Sequence, residues 1–537
     1  MDEGFRALGV DDDGSARVLA DPVVPSPREP SASARAPAPP RPPARVARAW
    51  HAGPMAPAGE TVRVSDRPLT SASRSPADAS RFVVGGTDHA AYELEIPPGP
   101  ASDPGGAPTK PPRPTPKPRA RRTLYGARVG HREWVTCVAH CADGRPATGG
   151  MDSRILLWDA ANGAAATELV GHAGSVSALA AFGPTHASSG LLLASAAYDK
   201  TIRLWGAASG GTPRAIGSAS SESESEAFAG KPPALRRAAS RVKVLSKRPA
   251  GGGVASVATL AAHAAPVLTL ARRGVFLASG DRGGAAALWD ASSASLVAKW
   301  DGAHRGHCVS ACFVDAGPGG CSSHESPGAE EEAESSGGAY SRHHPGSSSA
   351  PPLLLTGGQD GAVRAWDARQ RRPAAETWAH ARAGGAGAAS ELKQLRPGAR
   401  GAPADGFARV ASAGADGRVC ALDPRAGFAV VGDAVALGDF AYCLDVVEGS
   451  GLAVVGTGAG DVHVVDVEGG GGAKETAPRT KETAPEDEGN GGGFPRTLYA
   501  LGATRGGACR AVVADAEGGR LVVAGDDGAV ATYAFLR

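Results

Sequence analysis

Charge of one sign is what this chain most conspicuously lacks. Its 56 Lys and Arg are matched by 55 Asp and Glu, leaving a formal net charge of +1 over 537 residues. A chain so balanced has no broad field with which to attract nucleic acid or an anionic membrane surface. No apolar run approaches the ~20 residues needed to span a bilayer. The opening Met1-Asp2-Glu3-Gly4-Phe5-Arg6 is acidic and leads into no hydrophobic signal core. Cysteine is scarce: eight residues, scattered without the spacing of a secreted disulfide framework, which fits a reducing, intracellular compartment. Catalytic signatures are missing too. There is no Gly-Lys-Ser/Thr phosphate loop, no nucleophile elbow and no paired-carboxylate constellation, so neither an enzyme nor a bound cofactor is expected. Gly456-Thr457-Gly458-Ala459-Gly460 imitates a phosphate loop, but it falls at a turn between strands and opens no helix.

What the chain has is repetition. A Gly-His or Ala-His pair leads to a small-residue strand, an Asp turn and a strand ending in Trp-Asp. The unit is clearest as Gly130-His131 followed by Thr148-Gly-Gly-Met-Asp152 and Trp158-Asp159. It recurs as Gly171-His172 with Ser195, Asp199 and Trp205, and as Thr356, Asp360 and Trp366-Asp367. Weaker copies end at Trp289-Asp290, Leu422-Asp423 and Val465-Asp466, and a seventh runs through Asp527 to Tyr533. A unit of this size cannot bury its own faces and must stack against copies of itself.

These residues resemble the WD-repeat (WD40) family. The resemblance implies an all-β propeller in which each repeat supplies a four-stranded blade. It also implies that Trp, Ser/Thr, His and Asp form hydrogen-bonded sets that hold a blade together: His131, Thr148, Asp152, Trp158; His172, Ser195, Asp199, Trp205; and, in part, Thr356, Asp360, Trp366. A buried indole N–H and imidazole need such partners, and one set per blade is structural rather than catalytic.

Seven units are plain, and Phe82 to Ile96 reads as an eighth, with strand, Asp88 turn and strand but no Trp. The last unit stops at its third strand near Phe535, so an N-terminal strand is expected to complete it and close the ring. The segment Arg45-Val-Ala-Arg-Ala-Trp50-His51 resembles the outer strand and Ala-His turn at Trp378-Ala379-His380. If residues 44–50 close the ring it has eight blades; if Thr123-Leu124-Tyr125 does, it has seven. Eight is favoured. Repeats of ~40–45 residues would occupy roughly two-thirds of the chain. Residues 1–43 are expected to form a disordered tail ahead of a propeller over 44–537, with disordered insertions at 97–121, 213–253, 315–352 and 469–494, all poor in apolar residues. Three follow a third strand and one follows a first strand, so all four emerge on one face. The opposite face keeps short turns, and there a partner docks without ordering cost. Arg132 and Glu133 are the candidate partner-binding residues on it.

The function expected is a non-catalytic scaffold, monomeric within a larger complex, that binds proteins or peptides and neither nucleic acid nor membrane. An alternative comes from Trp366-Asp367-Ala368-Arg369, which resembles the box by which substrate receptors dock on a cullin-RING ubiquitin ligase adaptor. Arg369 would be the docking residue. Cys137-x3-Cys141 and Cys308-x3-Cys312, with His304 and His307 nearby, lack the Cys-x2-Cys knuckles of zinc sites, and Cys137 and Cys308 fall on expected inner strands, so no metal is expected. His343-His344 reads as solvated. Arg236-Arg237-Ala-Ala-Ser240 offers a candidate phosphosite at Ser240 in a mobile, basic loop.

Overall fold

Why the repeats become strands is visible in their burial. The second and third strands of each unit are covered on both faces by neighbouring blades, so they are mostly buried and rich in apolar or small residues, as in Pro146–Gly150 and Ile155–Trp158. The first strand is only partly buried, as in Val135–His140 and Val176–Ala181, because its other edge faces the central channel. The computed structural model describes residues 43–100, 117–126, 129–160, 165–183, 190–206, 254–314, 352–382, 385–386, 388–395, 409–468 and 495–536.

Eight antiparallel sheets form the blades, each lettered a to d from the channel outward. Blade 1 is Leu69–Arg74, Arg81–Gly86, Ala91–Glu95 and Arg119–Leu124; blade 2 is Val135–His140, Pro146–Gly150, Ile155–Trp158 and Ala166–Val170. Blade 3 is Val176–Ala181, Leu191–Ala197, Ile202–Gly206 and Ala258–Leu260; blade 4 is Val267–Arg273, Phe276–Asp281, Ala286–Asp290 and Ser295–Trp300. Blade 5 is Cys308–Val314, Leu353–Gly358, Val363–Trp366 and Ala375–Thr377. Blade 6 is Ala389–Gln394, Val410–Gly414 and Arg418–Asp423, with its outer strand split into Ala429–Val430 and Val435–Ala436. Blade 7 is Ala441–Val447, Leu452–Thr457, Asp461–Asp466 and Arg496–Gly502. Blade 8 takes its first three strands, Cys509–Asp515, Arg520–Gly525 and Ala529–Ala534, from the C-terminus and its fourth, Glu60–Arg63, from the N-terminus. The eight inner strands pack side by side in a closed ring. Val254–Ala255 adds a parallel fifth strand to the edge of blade 2.

Closure by an N-terminal strand into eight blades holds, but the strand is not the one expected. Residues 44–50 lie in a helix, Pro43–Ala52, and Thr123 and Leu124 belong to the outer strand of blade 1. Proline at the first helical position and the Ala/Arg-rich run behind it favour a helix there. Trp50 is fully buried, stacked on Phe535 with ring centroids 3.9 Å apart, and its carbonyl accepts the Tyr499 hydroxyl at 2.6 Å. The helix therefore clasps blades 7 and 8 from the side. The expected insertion 97–121 is also too long, since residues 119–121 begin the outer strand of blade 1. Residue 43 starts the helix and residue 352 is described beside blade 5, whereas 1–42, 213–253, 315–351 and 469–494 lie outside the described residues. The strands that flank these four segments are a–b or c–d pairs, so their ends all reach one face.

Every inner strand carries a β-bulge at its second residue. In blades 1 to 3 that residue is Thr70, Thr136 or Ser177. Its hydroxyl donates to the first inner-strand carbonyl of the next blade: Val135 at 2.7 Å, Val176 at 2.5 Å and Val267 at 2.6 Å. Further round, carboxylates serve the same purpose. Glu391 accepts the Leu444 N–H at 2.7 Å, and Asp445 accepts that of Ala514 at 2.9 Å. Blade 8 meets blade 1 through Arg520, 2 % exposed, which donates to Asp515, to the Ile96 carbonyl and to the Ala79 carbonyl. Arg74 of blade 1 binds the same Asp515.

Candidate functional site

The short-turn face is organised by the hydrogen-bonded sets beneath it. In blade 2, Trp158 Nε1 donates to Thr148 Oγ1 at 3.0 Å; Thr148 and His131 Nε2 lie 2.7 Å apart; His131 Nδ1 and Asp152 lie 3.0 Å apart. A neutral imidazole protonated on Nδ1 satisfies every group in this chain, because an ionised Asp only accepts and the hydroxyl proton then goes to Nε2. Blade 3 repeats it with Trp205, Ser195, His172 and Asp199 at 2.8, 2.7 and 2.8 Å. Blade 5 does so with Trp366, Thr356, His304 and Asp360 at 2.8, 2.7 and 3.1 Å. Glycine makes room for the ring: a Cβ on Gly150 would sit 2.4 Å from His131 Nδ1, and one on Gly358 2.1 Å from His304 Nδ1. Burial opposes charge on Asp152, yet the His131 ring and backbone N–H donors outweigh it and hold its carboxyl below the usual range.

Two further sets lack the full motif, blade 4 in its spacing and blade 6 in its Trp. Blade 4 joins Trp289, Ser279, His263 and Asp281 at 2.9, 2.7 and 2.8 Å, although Asp281 follows its Ser by two positions rather than four. Blade 6 joins His380 to Ser412 at 2.7 Å and to Asp416 at 3.0 Å, with Leu422 in place of Trp. The Ala-His pairs before both blades are the signal that finds them. His304, weighed above as a metal ligand, is committed to Asp360 and Thr356. Cys308 is fully buried with its thiol pushed well up by burial, and Cys137 likewise to about 12. Among the described residues no group of three or more His, Cys, Asp or Glu is arranged to hold a metal ion.

Above these sets lies the surface. The turn Asp that orients the His also takes the N–H of the next residue: Asp152 that of Arg132 at 2.9 Å, Asp360 that of Arg305 at 3.0 Å. Asp527 takes the Arg505 N–H at 3.0 Å in the same manner. The backbone of each of these Arg residues is thereby held at the rim while its side chain is exposed, with Glu133 beside Arg132 exposed as well. In every b–c turn one residue adopts left-handed backbone; it is Gly in five blades but His89, Ser153 and Lys200 in blades 1 to 3, with φ of 71°, 65° and 70°. Tyr125, Trp134, Met151, Tyr198, Trp378, Phe440 and Tyr442 are exposed large apolar side chains on or beside these turns. Over blades 8, 1 and 2 the face opens into a cleft of about 910 Å3 lined by Arg67, Asp88, His89, Trp134, Arg510 and Asp526, among others. Its carboxylates are engaged: Asp526 by Arg510 at 2.7 Å, and Asp88 by Ser65 at 2.5 Å and by Tyr92.

Arg369 sits elsewhere, after the third strand of blade 5 and thus on the opposite face. Its guanidinium forks back onto Asp367 at 2.9 and 2.5 Å. Arg425 makes the same fork onto Asp423 at 3.0 and 2.8 Å. Ser240 and His343-His344 lie outside the described residues.

The model of the WD domain, G-beta repeat, matches residues 122–159 and 164–206. Each match runs from an outer strand through the first three strands of the next blade, so the sequence repeat is offset from the blade by one strand. The chain is an eight-bladed β-propeller that carries WD40 repeats at these residues. As such it is similar in fold to Sqt1 of Chaetomium thermophilum, with a TM-score of 0.55 at 13% identity over 89% of this chain and 97% of that one. Saccharomyces cerevisiae Sqt1 gives 0.54 at 10% identity over 90% and 100%. The computationally designed Ika8 protein gives 0.50 at 15% over 88% and 97%. At such identities the likeness speaks to the fold alone. No curated protein matches the sequence. Among the described residues, no helix is long and apolar enough to cross a membrane.

Proposed function

We propose that this WD40-repeat protein is a non-catalytic scaffold that holds a protein or peptide partner on its short-turn face. The supporting observation is the state of the polar groups there. The His and Asp of blades 2 to 6 are consumed in structural hydrogen bonds and hold no open position for a substrate, while the residues beside them are exposed and fixed by the same carboxylates. A surface already ordered at this cost in backbone freedom binds with little further loss. The strands that flank the four long inserted segments end on the other face. Docking on a cullin-RING adaptor rests on Arg369 alone, and the self-contained fork repeated at Arg425 gives that residue a local task, so no second reading is favoured.

The test is quantitative recovery of associated proteins by the wild-type chain and by an Arg132→Glu/Glu133→Lys variant. Recovery of specific partners should fall while the thermal unfolding midpoint stays put, because both side chains are exposed. Equal recovery would contradict docking on this face.

A further inference from the structure

The chain is neutral to within one charge, yet its short-turn face is not. Arg67, Arg132, Lys200, Arg282, Arg305, Arg418 and Arg505 are exposed there, and none of these side chains has a hydrogen-bond or ion-pair partner among the described residues. The carboxylates of the same face are almost all occupied. The turn Asp residues hold His or backbone N–H groups, Asp66 pairs with Arg63, Asp301 with Lys299 and Asp526 with Arg510. Among the described residues, Glu133 and Asp461 are carboxylates there that make no such contact. Three of the free cations flank the cleft: Arg67 within it, Arg132 beside Trp134, and Arg505 on the turn of blade 8. Trp134 is half exposed at the cleft wall, an apolar surface with nothing packed over its outer half.

We propose that the cleft over blades 8, 1 and 2 binds an acidic peptide segment of a partner protein, with one large apolar residue of that segment seated against Trp134. This rests on the docking face proposed above and names its partner's chemistry. Unpaired guanidinium groups favour carboxylates, and their gain is not offset by breaking existing ion pairs. A peptide suits the cleft better than a nucleic acid strand does. A strand carries a phosphate on each nucleotide and would bring some of them against Asp88 and Asp526, whereas a peptide can place uncharged residues there. The remaining cations, around blades 3 to 6, add to the field that draws the segment in without contacting it closely.

The experiment uses the full chain and fluorescein-labelled peptides: an Asp/Glu peptide around a single Leu, the same peptide without Leu, and a Lys/Arg peptide around Leu. A single-stranded oligonucleotide of similar length is the fourth probe. The Leu-containing acidic peptide should bind most tightly, and more weakly as salt is raised. An Arg67→Glu/Arg132→Glu/Arg505→Glu variant should lose about tenfold or more in affinity, a Lys200→Glu/Arg282→Glu variant distinctly less. Trp134→Ala should remove the preference for Leu, with the unfolding midpoint of each variant confirming that it folds. Equal binding of the basic peptide, acidic-peptide binding that survives the triple variant, or tighter binding of the oligonucleotide lost in the same variants would each overturn the proposal. If no acidic peptide binds but partner recovery still falls in Arg132→Glu/Glu133→Lys, the docking face stands and the acidic partner is wrong.

Discussion

Blades 2 to 5 and blades 7, 8 and 1 are built to the same outline by different means. In the first group each blade carries its own Trp, Ser/Thr, His and Asp, linked from the buried indole to the surface turn. In the second group no His stands at that place. Blade 1 substitutes Ser65 and Tyr92 around Asp88, blade 8 substitutes Tyr533, whose hydroxyl donates to the Gly502 carbonyl at 2.8 Å, and the seam relies on Trp50 and the Arg520–Asp515–Arg74 cluster. Cohesion is local in one half and long-range in the other, where residues from the two ends of the chain must meet. The cleft lies over blades 8 and 1 of the second group and the edge of blade 2. The proposed site thus sits mostly where the repeat departs from its structural rule, and such departures are where function is expected.

The sharpest test of this contrast is Trp205→Ala. It empties a fully buried site and leaves Ser195 short of a donor, so a loss of about 3–5 kcal/mol is expected in chemical denaturation. Trp378→Ala, half exposed, should cost under about 0.5 kcal/mol. Similar losses at both would erase the distinction between set-bound and surface tryptophans. Next in size is the seam. Asp515→Ala strands the buried Arg520 and should cost about 3 kcal/mol, while replacing both by apolar residues, Asp515→Leu with Arg520→Met, should recover most of it. Failure of the double variant to recover would mean the cluster contributes more than the removal of an orphaned charge.

Acid offers a milder probe of the blade 1–blade 2 junction, where the His140 ring packs beside Ser73. Burial, aided by the Arg81 charge, lowers its pKa from 6.5 to about 4. Between those values the unfolded chain binds the proton and the folded one does not, so stability is complete above pH 6.5 and declines as pH falls toward 4. The upper bound of that decline is about 3 kcal/mol. His140→Gln should flatten stability across this window, and an unchanged slope would show that other groups set it.

How much of this was legible depended on how local each signal is. Thr148 to Asp152 and Ser195 to Asp199 span a single turn, so spacing alone displays them. Blade 4 hid its set because Asp281 moves two positions toward Ser279 and still reaches His263. The closing strand was misplaced because Glu60–Arg63 is a four-residue edge with almost no pattern of its own, whereas Trp50-His51 imitates the real turn at Trp378-Ala379-His380. The cleft was invisible for a different reason. Arg67, Trp134 and Arg505 are far apart in the chain, and only closure of blade 8 by the N-terminal strand brings their turns together.

Amide hydrogen exchange of the full chain, with and without the Leu-containing acidic peptide, tests most directly whether the cleft over blades 8, 1 and 2 carries the site. The peptide should slow exchange at 66–70, 87–90, 132–134 and 505–510, while the turns of blades 4 and 5 at 282–285 and 305–307 remain unchanged. Slowing spread evenly over all eight blades, or confined to blades 3 to 5, would contradict it.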